Sequence, residues 1–399
     1  MNNTEFILEH RTEDVRRLAL KRAPEGVDLS FCLRQIEGWQ TARTKLPRWA
    51  ERDDIVFPPR LSMEQCSSQE TALYKADVIR RLLSSDEQRR SMTDLTGGFG
   101  VDFSYLASLF REAHYVERQE VLCQTARHNL PLLGLPHAHV HEAEATDLLP
   151  TLPHQSLLYL DPARRDDAGR KVVALADCTP DVEALHEQLV AKSDVVMLKL
   201  SPMLDIHQTL RLLPSVSEVH VVSLENECKE LLLVLQSKAE ASDITYHCVN
   251  LGRHTQKTTY SSSEACKLIL ADEPLAYLYE PNVSLLKAGV QDVLCQRLGA
   301  LKLHPFSHLF TSQELIPDFP GRTFRVEAFS GFSKKEVGRL LSGLRQANLT
   351  VRNFPTSVQE LRRKLHLAEG GDTYLFATTL ADGRHILIKT RPSLELFTI

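Results

Sequence analysis

From Ser91 to Phe110 the chain reads SMTDLTGGFGVDFSYLASLF. A short apolar run closes on an acid, Asp94. Three glycines follow in four positions, Gly97, Gly98 and Gly100, and then Val101, Tyr105, Ala107 and Leu109 begin a helical pattern. Glycines at a strand-to-helix turn let the backbone approach a ligand closely, and the helix start favours negative or polar groups there. A dinucleotide fingerprint needs GxGxxG, with the last glycine where strand and helix pack. Read from Gly98, that third position is Phe103; read from Gly97, the second is Phe99. The dinucleotide pattern fails in both registers.

Outward from this turn, β-rich runs alternate with helical stretches. The strand candidates are MTDL, HYVER, HAHVHE, SLLYLDP, DVVMLKLS, EVHVVSLE and KELLLVLQ. Such alternation predicts a parallel sheet with crossover helices. The last two runs are too close for a crossover, so they read as an antiparallel hairpin around ENEC. Upstream, LSMEQCSSQETALYKADVIRRLLSS offers Ser67 or Ser68 as an N-cap, with Leu73, Ala76, Ile79 and Leu83 on one helical face. Beyond Ala239 the texture turns to short strands and loops, and IPDFPGR (Ile316 to Arg322) reads as a boundary. After it come FRVEAF, SKKEVGRLLSGLRQ, LTVRNFP, SVQELRRKLHL, DTYLFATTL and HILIKT, a small α+β pattern. The expected organisation is a helical N-terminal region (1–90), an α/β domain (91–239), a mixed β-rich connecting region (240–320) and an α+β domain (321–399).

The bulk numbers bound the function. A chain of 399 residues exceeds one ordinary core, so two or three domains are expected. It is 43% hydrophobic and 25% charged, with a net charge of −5, and so is no polycation. The charge is uneven. From Gly321 onward 13 Lys/Arg face 7 Asp/Glu, leaving the tail at +6 and the rest at −11. No apolar run is long enough to span a bilayer, and the N-terminus lacks a signal-peptide core. The eight cysteines are scattered, with no CxxC pair. That spacing argues against a zinc ribbon or a disulfide framework and suits reduced thiols in a cytoplasmic protein with no metal.

A different motif fits the turn. Read as Asp94, Thr96, Gly98 and Gly100, it resembles the first motif of class I S-adenosylmethionine-dependent methyltransferases, with Thr96 in place of the first glycine. The resemblance runs in order along about residues 69 to 236. It implies a Rossmann-like α/β fold with a seven-stranded sheet behind a helical N-terminal cap, and S-adenosyl-L-methionine as cofactor. It also implies roles. Glu117, in YVERQ, falls where such enzymes bind the ribose hydroxyls, and Glu144 where an acid meets the adenine amine. Asp161 and Pro162 fall at the fourth-strand motif. The implied cofactor set is Asp94, Thr96, Gly98, Gly100, Glu117, Glu144 and Asp161. A carboxylate at Glu117 can accept from both hydroxyls of a diol, and one at Asp94 can face the cofactor's ammonium or sulfonium charge.

The acceptor side starts at Asp161-Pro162-Ala163-Arg164-Arg165-Asp166. Methylases of exocyclic amines usually carry an aromatic after their Pro-Pro, whereas this chain has Ala163 and Arg164. Arginine can stack on a base or hold a phosphate. Methylation at a pyrimidine carbon needs a cysteine nucleophile, and the fifth strand ends Lys199-Leu200-Ser201-Pro202 instead. Direct transfer is therefore expected, with Asp161 and Lys199 as catalytic candidates. The tail from Arg352 to Pro392 resembles the THUMP-like domain attached to methyltransferases of bacteria, notably Bacteroidetes, and SSQETALYKA resembles the segment before the glycine motif in that family. The resemblance implies RNA (tRNA or rRNA) as partner, with Arg164, Arg165, Arg352, Phe354, Arg362, Arg363 and Lys364 as contacts. Two rivals stay open: a protein or small-molecule methyltransferase, and a non-catalytic RNA-binding protein with a vestigial pocket.

Overall fold

The structure, a computed structural model, describes residues 1–164, 175–237 and 243–393. Arg165, one of the expected acceptor contacts, lies outside the described residues, and so does the Asp166 that follows it. The chain divides into two compact units. The first comprises Met1–His220 and Lys229–Ile244, the second Val221–Cys228 and Thr245–Ile399.

The first unit is built on β1 (Ser91–Asp94), β2 (Glu112–Glu117), β3 (Ala138–Glu142), β4 (Gln155–Leu160), β5 (Ser193–Leu200), β6 (Val216–Leu224) and β7 (Glu227–Leu235). All seven expected strands form, in the order β6-β7-β5-β4-β1-β2-β3. β1 to β5 pair in parallel, and β7 runs antiparallel to β5. The order reverses at β1: the chain goes on to β2 and β3 on one side and returns to β4 on the other. Ligands of open α/β sheets bind at such a switch point, beyond the C-terminal ends of the strands. β4 is buried along its whole length, as a central parallel strand covered on both faces should be. The turn from β6 to β7 puts Glu225 and Asn226 at φ 49° and 61°, the left-handed pair of a tight hairpin.

Helices α1 (Asn3–His10), α2 (Leu29–Lys45) and α3 (Gln69–Leu82) precede the sheet. Ser68 caps α3, its hydroxyl accepting from Thr71 N. Of the expected face of α3, Ala76, Ile79 and Leu83 are buried. Leu73 is exposed instead, and Ala72 and Lys75 are buried, the lysine because its charge finds partners inside the protein. Helices α4 (Val101–Ala107), α5 (Glu120–Leu132), α6 (Val182–Ala191) and α7 (Ile206–Leu212) lie between the strands.

β8 (Thr245–Leu251) lies beside β6, and β9 (Gln256–Ser261) pairs antiparallel with β8, so the sheet runs to nine strands among the described residues. A separate seven-stranded sheet contains β10 (Tyr277–Pro281), β11 (Leu301–Lys302), β12 (Phe310–Ser312), β13 (Gly321–Ser330), β14 (Asn348–Arg352), β15 (Tyr374–Thr379) and β16 (His385–Pro392). Its order is β11-β12-β10-β13-β16-β15-β14. One face packs Leu278, Phe324, Phe376 and Ile388. The other packs Leu349, Leu375 and Leu387 against Leu361 of α8 (Val358–Leu365).

Candidate active site

The strand register gathers the predicted residues. Asp94 pairs across to Tyr115 of β2 and to Tyr159 of β4, and Leu160 pairs with Leu198 of β5. Glu117 and Asp161 each lie two residues past those tyrosines, and Lys199 lies level with Asp161. The carboxylates and the lysine thus emerge together at the C-terminal ends of the parallel strands.

The glycine turn is fitted to β2. The Gly97 N–H donates to Val116 O, and a Cβ at Gly97 would fall 2.2 Å from the Tyr115 ring. The Tyr115 hydroxyl donates to Gly98 O at 2.5 Å. Gly98 and Gly100 have φ of 55° and 85°, where a side chain is strained. Phe99 points back and packs on Trp49, with ring centroids 4.8 Å apart, anchoring the turn to the N-terminal helices. Phe103, which broke the dinucleotide pattern, is fully buried edge-on to Tyr115.

Glu117 is 9% exposed. Its Oε2 accepts from Gly98 N at 3.0 Å and its Oε1 from Gln119 N at 2.9 Å. A carboxylate has about four acceptor sites. Each oxygen therefore keeps one for another donor, which is the pair of acceptors a vicinal diol requires. Asp94 is buried and accepts from Thr96 N at 2.9 Å. Desolvation pushes its carboxyl well above the usual carboxylate range, against the Thr96 N–H and with the help of Asp102, Asp161 and Glu117. Such an acid gains from a nearby cation. The residues present thus fit an S-adenosylmethionine molecule at both its ribose and its charged end. Glu144 is not drawn into this group: it is exposed and 3.7 Å from Arg118.

Thr96 joins the two halves of the site. Its hydroxyl accepts from the Asp161 N–H at 2.6 Å and stands 3.4 Å from Asp94 Oδ1. The Asp161 side chain is 39% exposed, and its Oδ2 accepts from Lys199 Nζ at 2.5 Å. Burial alone would lower the pKa of Lys199, but Asp161, Asp102 and Glu230 overcome it and raise the value. Sequence reasoning missed the charges behind this pair. Asp102, in the first turn of α4, accepts from Ser67 Oγ and Tyr159 OH at 2.7 Å each and stands 3.0 Å from Lys75 Nζ. The one available signal was the segment from Ser67 to Lys75, which stood out by resemblance and not by chemistry.

Three of the five expected contacts in the tail have other partners within the second unit. Arg352 pairs with the buried Glu280 at 2.6 Å, beside Arg322. Arg362 donates to Ala347 O, and Phe354 packs on Phe332 at 4.7 Å. Arg363 and Lys364 are exposed on α8. Arg164 ends a two-residue strand, Ala163–Arg164, whose backbone pairs with Thr179 and Cys178.

The fold is shared with a solved protein. A crystal structure described as "putative methyltransferase from Porphyromonas gingivalis W83" is 35% identical, covers 98% of this chain and 97% of its own, and superposes with a TM-score of 0.86. The chain belongs to that methyltransferase family. A family described as THUMP domain-like matches residues 321–392, and one described as ferredoxin-like domain matches residues 277–320. Weaker likenesses include an rRNA methylase from Streptococcus thermophilus, 14% identical over 41% of this chain and 93% of that one, with a TM-score of 0.30. Another is a SAM-dependent methyltransferase from Agrobacterium tumefaciens, 12% identical over 52% and 63%, with a TM-score of 0.32. No curated protein matches the chain. Among the described residues no helix is long and apolar enough to cross a membrane.

Proposed function

We propose that this protein is a cytoplasmic S-adenosylmethionine-dependent methyltransferase that modifies RNA by direct transfer. The observation that carries the reading is the pairing of Glu117 with the glycine turn beside the Asp161–Lys199 pair, all at the switch point of the sheet. S-adenosylmethionine supplies an electrophilic methyl group whose sulfur leaves as a neutral thioether. Glu117 holds the ribose hydroxyls, and Asp94 faces the cofactor's positive end. Asp161, partly open to solvent, accepts a hydrogen bond from the acceptor and orients its lone pair, which is the main service such a transfer needs. Lys199 keeps that carboxylate fixed. Ser201 stands where a covalent mechanism would need a thiolate.

RNA is favoured by the THUMP-like match and by the positive tail. The reading with a protein or small-molecule acceptor draws support from one observation: Arg352, Arg362 and Phe354 are already engaged inside their own unit. Calorimetric titration with S-adenosylmethionine and with NAD tests the pocket. Binding of the first alone is expected, and Glu117→Ala weakens it by about 1–3 kcal/mol. Labelled methyl transfer to total cellular RNA, lost after nuclease treatment, tests the acceptor. Transfer that survives nuclease moves the second reading to first place.

A further inference from the structure

The Asp161–Lys199 pair is the outer end of a longer chain of charges. Lys199 Nζ lies 2.5 Å from Asp161 Oδ2 and 3.9 Å from Asp102 Oδ2. Asp102 Oδ1 lies 3.0 Å from Lys75 Nζ, and Lys75 Nζ lies 2.8 Å from both oxygens of Glu230. Signs alternate along the row: Asp161, Lys199, Asp102, Lys75, Glu230. Exposure falls along it too, from 39% at Asp161 through 12% and 9% to 0% at Lys75 and 3% at Glu230. Five elements supply the five groups: the end of β4, then β5, α4, α3 and β7.

We infer that Lys75 is a positioning residue: held by Glu230, it neutralises Asp102 and so leaves the Lys199 ammonium on Asp161, which makes α3 part of the acceptor side of the site. The inference rests on the acceptor-side role proposed above for Asp161 and Lys199. Packing alone does not call for Lys75, because an apolar side chain fills such a position without the cost of a buried charge. Asp102 is the fixed point. Ser67 and Tyr159 both donate to its Oδ2, so the carboxylate cannot move toward a cation. Lysine ammonium groups sit on flexible stems and move instead. With Lys75 present, Asp102 is neutralised from within, and Lys199 rests on Asp161. Without Lys75, Lys199 is the nearest cation left to Asp102, and it is drawn inward and off Asp161.

The test follows the Lys199 ammonium by NMR in full-length protein carrying lysine labelled at Cε and Nζ. Its resonance is identified by its loss in Lys199→Arg. In Lys75→Met that resonance is expected to move and to exchange faster with water. In Lys75→Met/Asp102→Asn, where one charge of each sign is gone, it returns toward its original position. An unmoved resonance in Lys75→Met means that Lys75 only fills space, and overturns the inference. Should Lys75→Met fail to fold, Lys75→Gln takes its place, and an unmoved resonance there overturns the inference equally. In transfer assays with total RNA, Lys75→Met is expected to lose about tenfold or more in rate with cofactor affinity unchanged. Loss of cofactor affinity in step with the rate overturns the positioning role. The NMR readout needs no acceptor, so a wrong RNA assignment shows up separately, as absent transfer by the wild-type protein.

Discussion

Thr96 stands where the related motif has its first glycine, and its hydroxyl does what a glycine cannot. It accepts the Asp161 N–H and so ties the glycine turn to the end of β4. Thr96→Gly is expected to leave cofactor affinity near wild type and to lower the transfer rate by about tenfold, while Thr96→Ser restores it; a loss of affinity in Thr96→Gly would move Thr96 to the cofactor side alone. Two buried acids nearby respond to pH with opposite signs. Desolvation alone would raise the pKa of Asp102, but Lys75, Lys199, Ser67 and Tyr159 hold it down at about 2, against an ordinary 3.8. Its contribution is complete above the unfolded value and is lost as pH falls toward about 2. Asp102→Asn should therefore cost about 2 kcal/mol near neutrality, a deficit that closes as the pH is lowered. Asp94 is raised by burial, so its ionisation costs stability as pH climbs from the unfolded value through the folded one. Asp94→Asn should stabilise the free protein near neutrality and weaken cofactor binding. Urea unfolding of the wild type and both variants from about pH 8 down to about pH 2 reads both slopes.

Among the elements, the glycine turn is shaped as much by β2 as by any ligand. A methyl group at Gly97 would meet the Tyr115 ring at 2.2 Å. That ring is boxed in by Phe103 and by its bond to Gly98 O. Gly97→Ala should cost about 1–3 kcal/mol of stability in denaturant titration, and Gly97→Ala/Tyr115→Leu should recover part of it. The seven strands and their hairpin were legible in the sequence because their signals are local: alternation, β-branched runs and a two-residue turn. The turn was legible through its glycines and the acids that follow at strand ends. The charge chain was not. A lysine in an amphipathic helix reads as a solvent-facing residue, and one of its counter-ions, Glu230, comes from 155 positions away. The same blindness misassigned Leu73, which the apolar spacing turned inward and the buried Lys75 turns out. In the tail, Arg352 looked available for phosphate because nothing in the local sequence announces the buried Glu280 it neutralises.

At the scale of the whole molecule, the two family matches at 277–320 and 321–392 share one sheet, with β10 paired to β13 along Tyr277 to Pro281. Cutting the chain near Pro320 would strip β10 of that partner and open the core around Leu278 and Phe324. The contribution of the tail to RNA affinity is better measured in the intact chain. Reversing Arg363 and Lys364 to Glu leaves the core of the unit untouched, since both are exposed on α8. If α8 meets RNA, the dependence of affinity on salt should flatten by about one to two phosphate contacts, each worth a slope of about 0.7 on a single strand. An unchanged slope would take RNA away from this helix.

The order of the second sheet also bears on how the protein is made. β16, the last strand along the chain, lies between β13 and β15 and pairs with both. While the ribosome is still short of His385, those two strands each present an unpaired edge, and the nascent chain carries an open sheet. The residues of the first unit, which end at Ile244, are all made long before. Synthesis proceeds at about 5–20 residues per second, so the stretch from β13 to β16 keeps its edges bare for several seconds in every molecule. A premature stop between Thr379 and His385 would make that state permanent: a second sheet open at its middle, exposed to proteases and to pairing with other chains.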